Sequence, residues 1–441
     1  MDAIAKMPTY EAYKDSGVEW LGEVPSHWKS YPLCAKSNLK SVSNNENEEL
    51  LSVYLDRGVI KFDEVDAKRT NVTSLDLSKY QLVEPGDFVL NNQQAWRGSV
   101  GISKYRGIVS PAYLILSISQ DISPEFGNYL FRDGAMVANY LVCSKGVGTI
   151  QRNLYWPQLK RTLLFYPSLE EQTLIANFLD QKTAQIDEAI AIKEQQIALL
   201  KERKQIIIQK AVTQGLDPDV PMKDSGVDWI GEIPAHWSYE PIKYSLNGIV
   251  DCEHKTAPFV DDQEYFVVRT TNVKDGKLSL DGAKYTTEQG YKEWTRRGVP
   301  VPGDILLTRE APAGEACLVP SGMKICLGQR MVWLKVRGDR LLPDFIISLI
   351  YSTVGRTYID FLSSGSTVLH FNMADINNIP VLIPQMAEQR KLVDYIAKVT
   401  EESERVIELQ KEQISKLKEY KTTLINSAVT GKIRITPEMV A

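Results

Sequence analysis

The sequence predicts an α/β (α+β) chain. Two related mixed domains are separated by two long helices, which pair as an intramolecular antiparallel coiled coil about a pseudo-two-fold axis. Three observations predict this. A motif is used twice, as YKDSGVEWLGEVPSHW at Tyr13 to Trp28 and MKDSGVDWIGEIPAHW at Met222 to Trp237. Each copy leads into a stretch of short β-rich runs, and each stretch ends in a long segment with a heptad apolar period. The expected boundaries are 1–166 for the first domain, 167–214 for the first helix, 215–383 for the second domain, 384–430 for the second helix and 431–441 for a tail.

The helices follow from spacing. Ile175, Leu179, Lys182, Ile186, Ile190, Lys193, Ile197, Leu200, Lys204, Ile207 and Ala211 alternate steps of four and three, a heptad sustained over about five repeats. Adding 217 to each number gives Leu392, Ile396, Val399, Ser403, Ile407, Gln410, Ile414, Leu417, Lys421, Leu424 and Ala428, so both helices carry the same seam. Both begin after a proline, in PSLEEQ at Pro167 and PQMAEQ at Pro384, where Glu suits the positive helix end. Both end in related KAVTQG and SAVTGK sequences whose Gly suits a left-handed helix terminus. A helix of about 44 residues is roughly 65 Å long. The first helix leaves domain one and arrives at domain two, so the second folds back along the first rather than pairing between chains. Lys and Gln at seam positions 193, 204, 410 and 421 weaken a plain hydrophobic zipper and are expected to fix register or face another protein.

The domains read as mixed α/β. LLSVYLD, DFVLNN, AYLILSIS, EYFVVRTT, DILLTRE and MVWLKVR are strand-like runs bounded by turn residues. PGD at Pro85 and at Pro302 marks a turn before matched strands. SPEFGNYLFRDGAMVANYLVC and LPDFIISLIYSTVGRTYIDFLSS are equivalent helical segments.

Composition excludes several classes. The chain of 441 residues is 43% hydrophobic and 24% charged, ordinary for a folded protein. It shows neither a secretory leader nor a membrane-length apolar run, so a cytoplasmic location is expected. Five scattered cysteines without CxxC spacing indicate neither a disulfide framework nor structural zinc, and Cys252 with His254 make a poor metal pair. No metal is expected. Phosphate-loop, dinucleotide, HExxH and GxSxG motifs are all missing, so no catalytic residue is assigned. His27 and His236 belong to the repeated motif and read as structural packing, with the neighbouring Trp and Pro forming an apolar clasp. A net charge of −5 argues against coating nucleic acid unaided, although the stretch from Lys29 to Arg161 is slightly basic.

These features together resemble the specificity (S) subunit of type I restriction–modification systems. The resemblance rests on the twice-used KDSGVxWxGExPxHW motif, on the GVGTIQRN and GSTVLHFN segments that close each domain, and on the PxxxEQ helix starts and the KAVT and SAVT helix ends. It covers essentially the whole chain in the family's order. It implies that each domain is a target recognition domain reading one half of a bipartite, asymmetric DNA target. The helices are then the spacers, and the chain scaffolds two methyltransferase (M) subunits and, through them, two restriction (R) subunits. It also implies a non-catalytic chain with no cofactor of its own, S-adenosylmethionine belonging to the M subunits and ATP and Mg to the R subunits. A fused methyltransferase would need an NPPY-type motif, which NLYW at Asn153 does not provide. The alternative is a coiled-coil protein-interaction scaffold without DNA recognition.

Base edges are read by exposed Arg, Lys, Asn, Gln, Ser or Thr. Candidates in the first domain are Asn91, Asn92, Gln93, Gln94 and Arg97, with Lys145, Thr149, Gln151 and Arg152. In the second they are Arg269, Thr271, Asn272 and Arg309, with Ser366, Thr367 and His370. Asn153 and Asn372 are expected to share a turn-closing role.

Overall fold

The repeated motif forms the same small device in both copies. Tyr13–Asp15 pairs antiparallel with Glu23–Pro25, and Met222–Asp224 pairs with Glu232–Pro234. Gly17, Gly22, Gly226 and Gly231 turn these hairpins at φ between 70° and 76°, a left-handed conformation that favours glycine. The strand after each hairpin then meets the strand that ends the domain: Lys29–Pro32 runs antiparallel to Leu163–Tyr166, and Ser238–Pro241 to Pro380–Ile383. Each domain therefore starts and finishes on one two-stranded ladder. The computed structural model describes residues 2–19, 21–55, 57–64, 76–147, 151–363 and 371–440.

Between its closing strands each domain holds a four-stranded antiparallel sheet. In domain one β1 (Ser37–Lys40), β2 (Asp87–Asn91), β3 (Val100–Ile102) and β4 (Tyr113–Ile118) take the order β1-β4-β2-β3. A separate ribbon pairs β5 (Ser144–Val147) with β6 (Gln151–Leu154). Domain two repeats the sheet with β7 (Leu246–Asp251), β8 (Ile305–Thr308), β9 (Ala316–Leu318) and β10 (Met331–Val336) in the order β7-β10-β8-β9. The PGD turns work as expected. Asp87 Oδ2 accepts from Glu84 N at 2.8 Å and from Lys40 Nζ at 2.6 Å. Asp304 Oδ2 accepts from Val301 N at 3.2 Å and Trp333 Nε1 at 2.7 Å.

Each expected helical segment is two helices rather than one. α1 (Pro124–Arg132) gives way at Asp133 to α2 (Gly134–Val142), the Asp133 carboxylate accepting from Ala135 N at 2.8 Å. This is an N-cap inside the segment, and it stops the first helix by starting the second. Following the first long helix, α3 (Leu169–Gln214), domain two breaks at Ser352 between α4 (Pro343–Tyr351) and α5 (Thr353–Ser363), where Ser352 Oγ accepts from Val354 N at 3.2 Å. The shorter helices cover the sheets: Phe131 stacks on Phe88 with centroids 4.2 Å apart, and Phe345, Ile346 and Leu349 share a buried cluster with Ile305, Leu307, Val332 and Leu334. Each such side chain contributes roughly 1.5–3 kcal/mol of burial.

α3 and the second long helix, α6 (Met386–Val429), are shared between two compact units, Met1–Glu194 with Lys411–Ala441, and Gln195–Gln410. In the first unit Lys193 meets Gln413 while Asp187 meets Lys421, so the helices run antiparallel. In the second, Lys204 pairs with Glu404 at 3.7 Å. Every seam position expected from the heptad is buried or half-buried. The polar seam residues Lys193, Lys204 and Lys421 thus find partners on the opposing helix. Among the described residues no helix is long and apolar enough to cross a membrane.

The paired HW and EQ dipeptides lock each helix start to its domain. His27 Nε2 lies 2.9 Å from Glu171 Oε2, and the buried Trp28 donates from Nε1 to Glu171 Oε1 at 3.2 Å. Glu388 receives the same two contacts from His236 and Trp237, at 2.9 and 3.0 Å. The neighbouring glutamine is wholly buried: Gln172 Nε2 donates to Pro167 O and Asp121 O and its Oε1 accepts from Ser123 N, as Gln389 does with Pro384 O, Arg340 O and Leu342 N. Gly215 and Gly431, at the ends of α3 and α6, lie against Trp237 and Trp28 respectively, so a helix end also meets each clasp. At Gly431 a Cβ would lie 2.4 Å from Pro25, which leaves no room for a side chain.

Candidate nucleic-acid interface

The sheets set the site. In domain one β2 ends at Asn91, whose Oδ1 accepts from Gln93 N at 3.1 Å; the chain then makes a 3₁₀ turn over Ala95–Arg97 and reverses at Gly98, φ 99°. The ribbon is tied to this loop by its backbone, Leu154 N donating to Asn92 O at 3.1 Å. Asn91, Asn92, Gln93, Gln94 and Arg97 are thereby brought beside Lys145 and Arg152. Trp96 stands at the junction: Arg97 Cζ lies 4.6 Å and Arg152 Cζ 5.9 Å from its ring centre, and its Nε1 donates to Gln93 O at 2.9 Å. Lys145 Nζ sits 3.5 Å over the half-exposed ring of Tyr155. Gln93, Arg97 and Lys145 are exposed, whereas Asn92 turns its Oδ1 into the protein. Thr149 lies outside the described residues, and Gln151 is placed only as part of β6.

Domain two builds the same edge with other side chains. Arg309 stands 217 residues after Asn92 and Phe371 stands 217 after Leu154, and Phe371 N donates to Arg309 O at 3.0 Å. Arg309 is buried, however. Its Nη1 reaches both Asp251 oxygens at 2.9 and 2.7 Å and its Nε donates to Phe371 O at 3.0 Å. Burial pushes the Asp251 carboxyl up, and the hydrogen bonds and charge of Arg309 outweigh this and hold it below the ordinary carboxylate range. Arg309 is therefore a buried brace whose Nε and Nη1 donate inside the domain, which corrects its expected place among base-reading residues.

Asn272 needs the same correction. It is fully buried, its Oδ1 accepting from Arg269 N at 3.1 Å and its Nδ2 donating to Ser279 O and Asp281 O at 3.1 and 3.2 Å. Its amide closes the loop and presents nothing outward. Arg269 Nη2 donates to Gly282 O at 2.6 Å, and Thr271 is exposed. A short connection links these residues to the sheet edge, Gly328 N donating to Val268 O at 2.7 Å and Arg309 N to Arg330 O at 2.8 Å. Gln329 and Arg330 in that connection were not among the expected residues. Their signal was a Gly-Gln-Arg turn directly before a strong strand. Ser366, Thr367 and His370 lie outside the described residues.

The turn-closing role expected of Asn153 and Asn372 holds only for the second. Asn372 caps the short helix Met373–Asn377, its Oδ1 accepting from Asp375 N at 2.9 Å. The matching helix in domain one, Trp156–Leu159, is preceded by Tyr155, while Asn153 sits in β6 opposite Lys145. The two asparagines are two positions out of structural register.

Asp251, Cys252 and His254 bring donor atoms within 4.8 Å of one another. Arg309 already occupies both Asp251 oxygens, and its positive charge opposes a metal cation there. Burial pushes the Cys317 and Cys326 thiols up to about 12, which leaves them unreactive.

Comparison with known proteins gives a consistent set of relatives. A family model described as "Type I restriction modification DNA specificity domain" matches residues 246–419, from the start of β7 well into α6. A Methanocaldococcus jannaschii chain assigned as the MjaX type I restriction enzyme specificity subunit is 23% identical, the match covering 94% of this chain and 96% of that one. The MjaVIII specificity subunit of the same organism is also 23% identical, over 93% and 94% of the two chains. Along nearly all of its length the chain is similar to specificity subunits of type I restriction–modification systems. A solved structure concerned with complex assembly and conformational transition of the type I R-M system shares the fold, with a TM-score of 0.67 at 15% identity over 92% of this chain and 98% of that one. The family match falls in domain two, and the identical strand order of domain one extends the same architecture to residues the match does not reach.

Proposed function

We propose that this chain is a specificity subunit that recognises a bipartite DNA target, each domain reading one half-site through the loops at the matching sheet edge. One observation supports this above others. Equivalent backbone bonds, Leu154 to Asn92 and Phe371 to Arg309, hold the same edge in both domains, yet the side chains that edge presents are unlike. A common frame with different exposed groups is what reading two different half-sites requires.

The chain acts with partners in this reading. Two M subunits carrying S-adenosylmethionine, and two R subunits using ATP and Mg and held through M, supply the chemistry, in the cytoplasm; this chain supplies specificity and no cofactor. A net charge of −5 gives it little attraction for duplex DNA alone, so tight binding belongs to the complex. Long-read mapping of methylated motifs in cells expressing the chain with its M partner tests the proposal. A bipartite motif that appears only when this chain is present supports it. A complex that binds cognate and scrambled duplexes equally returns the chain to a protein scaffold.

A further inference from the structure

We propose that Arg152 is a guanine-reading residue of domain one, presented by the β5–β6 ribbon and held in place by Trp96. This rests on the DNA-recognition reading above and assigns to it a base and a side chain.

The ribbon has the form required. Among the described residues Ser144–Val147 and Gln151–Leu154 pair as strands only with each other, so the ribbon is a two-stranded element of the kind that fits the major groove. Its two faces differ. Leu154 is buried, and Arg152, two residues away on the same face, turns toward the loop that follows β2. The residue directly opposite Arg152 is Gly146, which places no side chain across from the guanidinium. On the other face Lys145 lies over Tyr155.

Trp96 decides the arrangement. Its ring carries both Arg152 and Arg97, and its own position is fixed by the Nε1 bond to Gln93 O. A cation over an indole gains roughly 0.5–2 kcal/mol, and an arginine so held has less freedom to lose when its planar fork meets a pair of acceptors. Guanine alone presents two acceptors, O6 and N7, to the major groove. The corresponding loop of domain two is one residue shorter and holds Pro312 and Ala313 before Gly314 where domain one has Trp96 and Arg97 before Gly98, so this device belongs to one half-site only.

The test uses the complex of the full chain with its M subunits and duplexes carrying the mapped motif. Guanines of the domain-one half-site are replaced singly by 7-deazaguanine, which lacks the N7 acceptor. For the native chain, one such replacement should weaken binding on the order of 10- to 100-fold. Arg152→Lys keeps the charge and should be nearly indifferent to that replacement while still binding duplex DNA. Trp96→Phe should retain part of the discrimination and Trp96→Ala should lose most of it. The proposal is overturned if Arg152→Lys remains as sensitive as the native chain, or if the half-site contains no guanine. It is also overturned if Arg152→Ala weakens cognate and scrambled duplexes alike with a shallower salt dependence, the mark of a phosphate contact. Native complex that fails to distinguish cognate from scrambled duplex would instead strike at the DNA-recognition reading itself.

Discussion

Lys421 Nζ lies 2.7 Å from both carboxylate oxygens of Asp187, one helix answering the other across the seam. The residues 217 positions away from each, Lys204 and Glu404, form the corresponding pair in the other unit at 3.7 Å. Asp187 is more than half exposed, so the net worth of the pair is small, a few tenths of a kcal/mol. Its value lies in register, since a shifted pairing would bury these lysines without partners. Charge reversal of either residue, Lys421→Glu or Asp187→Lys, should lower the urea midpoint, and the double reversal should recover most of the loss. A double variant no more stable than the singles would remove the pair from any part in register.

The Glu171 clasp is a stronger determinant. Trp28 is 1% exposed, and Glu171→Ala leaves its indole N–H buried without an acceptor, a cost of roughly 1–3 kcal/mol. Glu171→Gln retains an acceptor oxygen and should cost less. Because Glu388 holds Trp237 in the same way, Glu388→Ala should cost a similar amount. Chemical denaturation of the three variants checks the order.

The seam was legible in the sequence because a heptad is a purely local regularity, and the observed helices bury or half-bury the very positions it picks out. The clasp was half legible. The repeated HW dipeptide showed as packing, but its partners Glu171 and Glu388 lie about 150 residues downstream, and long-range pairing leaves no trace in local spacing. The breaks at Asp133 and Ser352 were missed because apolar periodicity continues through them and only the cap interrupts the backbone. Arg309 and Asn272 have the chemistry of base-reading residues, and that same donor-rich chemistry lets them close loops from within. Side-chain type does not tell the two uses apart; burial does.

Arg309 gives a direct separation of those uses. Replacing it with Met leaves the Asp251 carboxylate with only Cys252 N and His254 Nε2, and breaking a buried pair costs about 3–5 kcal/mol, toward the lower figure here because Asp251 keeps these contacts and some exposure. The expected result is a clear drop in thermal stability of the complex with an unchanged methylated motif at permissive temperature. A folded variant that methylates a different second half-site would restore Arg309 to base readout.

Acid should weaken the first unit through Asp121. Burial raises this carboxyl, and hydrogen bonds from Lys36, Ser119 and Tyr166 outweigh it and bring it from 3.8 down to about 2. A carboxylate depressed on folding stabilises the fold above its unfolded value and loses that contribution as pH falls through its folded one. The stability difference between the native chain and Asp121→Asn should therefore be full above about pH 5 and shrink steadily toward pH 2. A difference that stays constant across this range would mean the ionised carboxylate is not what Lys36 and Tyr166 hold.

Domain exchange tests independence of the two half-sites, and the contacts dictate how it must be made. Replacing the stretch from Lys29 to Arg161 with the matching stretch of a relative severs Lys29–Pro32 from its native partner Leu163–Tyr166, whereas a graft beginning at Leu33 leaves that ladder whole. The graft must also keep what the helices hold. Asp133 accepts from Asn426 Nδ2 at 3.1 and 3.2 Å, Tyr129 donates to Asp180 at 2.6 Å, and Asp121 O and Ser123 N both bind Gln172. A chimera that begins at Leu33 and retains Asp121, Ser123, Tyr129 and Asp133 should fold and change one half of the methylated motif, leaving the other half intact. The same chimera with Asp133→Leu should lose stability without altering which bases are methylated, because that residue caps α2 and binds α6 rather than DNA. If both halves of the motif changed together in the well-folded chimera, the two domains would not be independent readers.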